Sequence, residues 1–187
     1  MKKVFLTLLM TGLSLIAGSN ALAAVGYDGI DEVNKVQSID MDTCKVVYVY
    51  AHSSAKMKNK NQVEKQQEAL DELGKTVVEA LKSAFSRTEY KLIEALNEAP
   101  TGATVIDAHL VEIDWGSGAL RQWVGFGAGN IGGRYTATVT NANGRVCDFS
   151  NKRMHDTSLS SAKGAPVIKV YNKALAKDLI TVLKGMK

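Results

Sequence analysis

The sequence predicts a mixed α/β sandwich, a β-sheet with two amphipathic helices packed on one face. Three observations point there. β-Branched and aromatic runs occupy residues 45–50 and 103–115. Two separated stretches repeat apolar residues at three- and four-residue steps, and an Asn-Gly turn joins two alternating segments.

The amino terminus comes first. Lys2 and Lys3 precede an uncharged, largely apolar run from Val4 to Ala17, then Ser19-Asn20 and Ala21-Leu22-Ala23. That order is a basic region, an apolar region too short to span a membrane, and a small-x-small cleavage site. Residues 1–23 are therefore expected to be a cleaved signal peptide, making the mature protein periplasmic or secreted with no transmembrane segment. Residues 24–43 are polar with little periodicity and are expected to be a loosely ordered lead-in. Residues 44–187 are expected to form a single mixed α/β domain.

Lys45 to Tyr50 suits a strand with apolar residues on both faces. His52 to Asn61 follows as a polar loop. From Gln62 to about Arg87, Leu70, Leu73, Val77, Leu81 and Phe85 form one helical stripe among charged residues. Gly74 weakens that helix by about 1 kcal/mol relative to Ala, so another element packing closely there is expected. Tyr90 to Leu96 fits a short strand or a helical extension. Ala103 to Trp115 reads as a long strand, with Val105, Asp107, His109, Val111, Ile113 and Trp115 on one face. Arg134 to Thr140 and Arg145 to Ser150 form a hairpin around Asn141-Ala142-Asn143-Gly144. Asn151 to Gly164 reads as a polar loop. Ile168, Tyr171, Leu175, Leu179 and Val182 then mark the second helix, to Gly185.

Charge excludes some partners. The formal charge of +4 falls to +2 when residues 1–23 leave, since they carry two lysines and no acid. That is too little for a nucleic-acid footprint. Cys44 and Cys147 are the only cysteines. In an exported chain an even pair reads first as a disulfide, which would contribute about 4–5 kcal/mol by closing a long loop. The alternative is two buried thiols that never meet.

No catalytic constellation stands out. His52-Ser53-Ser54 lacks an orienting acid at a recognisable spacing. Asp107 and His109 share a strand face, but two ligands do not make a metal site. Gly127-Ala-Gly129-Asn-Ile-Gly132 matches G-x-G-x-x-G by letter, yet it runs into a strand, so no helix terminus receives a pyrophosphate. No metal and no cofactor are expected.

What distinguishes the chain is the stretch 115–133. It holds both tryptophans, and eight of the sixteen glycines lie between Gly116 and Gly144. Bulky rings beside glycines suit either a cap on the core or an exposed contact, and aromatics are enriched at interfaces. Trp115, Leu120, Arg121, Trp123 and Phe126 are the candidate partner-binding residues. The expected function is non-enzymatic protein interaction at this loop. The rival is a small-ligand binder or hydrolase with a cleft near Asp107 and His109.

The run W-G-S-G-A-L-R-Q-W-V-G-F-G-A-G-N, followed by an alternating strand, an Asn-Gly turn and a second strand, resembles the bacterial envelope proteins grouped as domain of unknown function 4410. The resemblance is most specific over Trp115–Phe149 and extends over roughly Cys44–Lys187. It implies a mixed α/β envelope-accessory module with no assigned reaction, whose partner is another envelope protein; homo-oligomers are compatible with it. Many members are lipoproteins, and this sequence departs from them in having no cysteine at its predicted new amino terminus, Ala24.

Overall fold

The structure is a computed structural model, and it describes residues 30–56, 63–114, 131–155 and 165–186. Among the described residues, six strands and two α-helices form the frame. The strands are β1 (Glu32–Lys35), β2 (Val46–Ser53), β3 (Glu89–Ile93), β4 (Thr104–Asp114), β5 (Ile131–Asn141) and β6 (Gly144–His155). The helices are α1 (Val63–Ala84) and α2 (Ala165–Lys184). The sheet order is β1-β6-β5-β4-β2-β3. β2 pairs parallel with β3 and β4, and the other pairs are antiparallel, so the sheet is mixed as expected.

Both helices lie on one face. α1 packs on β2 and β3, and α2 on β4 and β5. Leu73, Val77 and Leu81 of α1, with Ile168, Leu175 and Leu179 of α2, are fully or almost fully buried against Val47, Val49, Ile106, Ala108, Ala137 and Val139. Each strand gives alternate residues to that core, as its pleat dictates. The opposite face carries half-exposed Tyr48, Tyr50, His52, Val105, Asp107, His109, Thr136 and Thr138.

Several expectations are corrected here. The lead-in does not end before the domain. Its residues 32–43 supply the edge strand β1, with Val33 opposite Phe149, and a short helical turn at Met41–Thr43 whose Met41 is fully buried. Sparse periodicity hid this because β1 has only four residues. Of the two readings left open for Tyr90 to Leu96, the strand holds over Glu89–Ile93 as β3, and Leu96 begins a short helical turn. Asn151 to His155 continue β6, and are not loop. They pair with Ile131–Tyr135, so the hairpin is longer than polar composition suggested.

The cysteines do not bond. Both are free, Cys147 buried and Cys44 half-buried. Cys147 lies on β6, and β5 and β4 stand between it and β2. Three strand spacings are about 14 Å, whereas a disulfide needs Cα atoms within about 7 Å. Burial pushes the Cys147 thiol up to about 12.

Ile113 changes sides. The β4–β5 register shifts between Leu110 and Glu112. A bulge there breaks the alternation, and Ile113 is buried while Glu112 is exposed.

Candidate functional site

The parallel pairing of β2 with β4 sets Tyr50 beside Asp107 and His52 beside His109 on the uncovered face. These residues are 57 positions apart or nearly so, a distance that local spacing rules do not reach. His52 Nε2 lies 3.0 Å from Asp107 Oδ1. The His52 ring stacks on His109 with centroids 4.1 Å apart and planes 15° apart, and Tyr50 stacks on the other side at 4.7 Å. His52 is thus the end of β2 and not the start of a loop. The alternation Tyr48, Tyr50, His52 was the available signal.

Ser53 and Ser54 fasten the strand exit. Ser53 Oγ donates to the Leu110 carbonyl at 3.0 Å. Ser54 Oγ donates to the Val111 carbonyl at 2.8 Å and lies 2.9 Å from His109 Nε2. A hydroxyl has one proton. With that proton on the Val111 carbonyl, the remaining bond runs from His109 Nε2–H to Ser54 Oγ. Nucleophile activation requires the reverse polarity. Burial, reinforced by His52, lowers the His109 pKa despite Asp107.

The predicted pair Asp107 and His109 is therefore brought together with His52, Ser54 and Tyr50. Stacked imidazoles hold their nitrogen lone pairs in parallel planes, which do not converge on one ion. Among the described residues no three His, Cys, Asp or Glu side chains are grouped to hold a metal. The nearest depression, about 300 Å³ at the β2 exit, is lined by His52, Ser54, Gln67 and Asp71 among others.

Trp115, Leu120, Arg121, Trp123 and Phe126 lie outside the described residues. The flanks of their segment are described. Asp114 pairs with Gly132, so residues 115–130 leave and re-enter neighbouring strands at the same level. Gly133, inside the glycine-rich stretch, has a structural reason. A Cβ there would overlap the Tyr171 ring of α2.

Sequence reasoning missed a second cluster. Asp178 of α2 is buried and accepts hydrogen bonds from the Tyr135 hydroxyl, Asn151 Nδ2 at 2.6 Å and Arg153 Nη2 at 2.6 Å. Position 178 falls three after Leu175 and seven after Tyr171, on the stripe that faces the sheet. That spacing was the clue. Burial and the neighbouring Asp178 raise the Tyr135 pKa.

No curated protein matches the sequence. Solved structures with a similar course of chain include the PelC dodecamer from Paraburkholderia phytofirmans, at 11% identity and a TM-score of 0.49, covering 80% of this chain and 94% of that one. Another is a neuraminyllactose-binding hemagglutinin homolog from Helicobacter pylori, at 12% identity and a TM-score of 0.43, covering 82% of this chain and 91% of that one. Neither likeness bears on what this chain does. The family model is the informative match, spanning β1 to the start of α2. Over residues 32–165 the chain belongs to the family described as a domain of unknown function, DUF4410.

Proposed function

We propose that this chain is an exported, non-enzymatic envelope-accessory module that binds another envelope protein through the segment 115–133. One observation carries the reading: Trp115, Leu120, Arg121, Trp123 and Phe126 crowd into one connection, anchored at both ends where Asp114 pairs with Gly132. β4 and β5 are eleven residues each and lie inside the sheet, so the anchor is stiff. A rigid base presenting aromatic and Arg side chains suits a contact whose energy concentrates in a few groups.

Trp123→Ala together with Phe126→Ala tests it. We expect the double variant to keep the native circular dichroism spectrum and lose capture of envelope proteins in a crosslinking pull-down. Capture at the wild-type level refutes the contact. Loss of the native fold returns these rings to the core.

The rival, a ligand-binding or hydrolytic site at Asp107 and His109, draws on the Ser54–His109 hydrogen bond. The Val111 carbonyl competes with His109 for the Ser54 proton, which counts against hydrolysis.

A further inference from the structure

We infer that the outer surface of the two-helix layer docks a second copy of this chain, in a two-fold arrangement that sets the acidic end of one layer against the basic end of the other. This goes beyond the proposed contact at residues 115–133 and uses none of its residues.

The helices run parallel. Asn172 Nδ2 donates to the Ala69 carbonyl at 2.7 Å, and Lys169 Nζ lies 3.0 Å from Glu72 Oε2. Further along, Thr76 and Ala80 line a common depression with Lys173, Lys177 and Lys184. Positions advance together along both helices, so the two macrodipoles add. The outward charges are opposite in sign to the helix termini they flank and outweigh the partial charges there. Towards the helix starts, Glu64, Glu68, Asp71 and Glu72 border a shallow depression of about 480 Å³ that Lys75 also lines, so the acids outnumber the cation there. Towards the helix ends, the three lysines border one of about 310 Å³. α2 contributes no exposed acid, since its single acid, Asp178, is buried against Arg153. On α1, exposed Glu79 and Lys82 lie three residues apart and offset one another.

One surface therefore carries both signs, separated by about twelve residues or about 18 Å along the helix axis. A partner of one sign would be attracted at one end and repelled at the other. A second copy rotated by a two-fold axis is attracted at both, because an isologous contact pairs each patch with its complement. The axis falls near the Glu72–Lys169 ion pair, which is already neutral. Small side chains at Thr76, Ala80 and Thr181 let the layers approach.

Charge-reversed variants test the register. Wild-type protein is expected to sediment as a dimer at low salt, with its dissociation constant rising at least tenfold at high salt through screening. Lys173→Glu/Lys177→Glu and, separately, Glu68→Lys/Asp71→Lys are expected to be folded monomers by circular dichroism and sedimentation. Mixed in equal amounts, they are expected to form a heterodimer. A wild-type monomer at low salt overturns the inference, as does a dimer insensitive to both reversals. Reversed variants that stay monomeric when mixed overturn the two-fold register.

Discussion

Asp178 shows how one side chain ties a helix to a sheet. Its carboxylate is buried, and donors from β5 and β6 reach it, so the ion pair with Arg153 is shielded at the Asp end and partly wet at the Arg end. Removing one partner of such a pair strands the other. Asp178→Ala is expected to cost about 3 kcal/mol in urea denaturation, the lower end of the usual range because Arg153 reaches solvent. The double change Asp178→Leu/Arg153→Met is expected to cost less than that single one, since no charge is left unpaired. At His109 the same physics is visible as a pH effect. Its folded-state pKa lies below the ordinary value of 6.5, chiefly through burial. The unfolded chain therefore binds the proton more readily. Stability is fully present above pH 6.5 and declines as pH falls through the folded value. His109→Gln is expected to flatten that decline, measured as the urea midpoint between about pH 7 and pH 5. An unchanged slope would place the titrating group elsewhere.

At the scale of elements, two glycines mark close crossings. A Cβ at Gly74 would lie 2.5 Å from Leu92 Cδ1 and 3.4 Å from Ala51 Cβ, which explains a glycine inside α1. Leu92 is exposed and can swing aside. Tyr171 cannot, because it is fully buried against Gly133. Gly133→Ala is therefore expected to destabilise by about 1–3 kcal/mol, the usual cost of overpacking. In Tyr171→Leu protein the same change should cost much less, as read by thermal denaturation. Equal costs in both backgrounds would refute the crossing. The long elements were legible in the sequence because periodicity accumulates over many residues, as in α1, α2 and β4. The short edge strand β1 was not, because four residues carry too little pattern. Nor was the end of β6, where Asn151 and Arg153 are polar yet point into the buried Asp178 cluster. The bulge near Val111 was hidden for another reason. Alternation predicts a face only while the register holds, and a shift at one residue moved Ile113 to the core.

For the whole molecule, the sandwich followed from counting amphipathic faces: two single-stripe helices need one sheet surface to cover. That argument leaves the other surface uncovered among the described residues, and it says nothing of what meets there. The Tyr50, His52 and His109 stack arises from parallel pairing of strands far apart in sequence, which no local motif announces. Asp107 and His109 were legible as neighbours on one strand, but the hydrogen bonds that decide their chemistry come from His52 on β2 and from Ser54 just beyond it. The contact proposed at 115–133 rests instead on local composition, where rings, glycines and one arginine gather between two stiff strands. Its most direct measurement is collisional quenching of Trp123 fluorescence in Trp115→Phe protein, which leaves Trp123 as the single tryptophan. We predict quenching by acrylamide in the folded monomer close to that of the unfolded chain, with protection appearing when the captured envelope partner is added. A Trp123 shielded in the folded monomer and exposed only on unfolding would contradict the account.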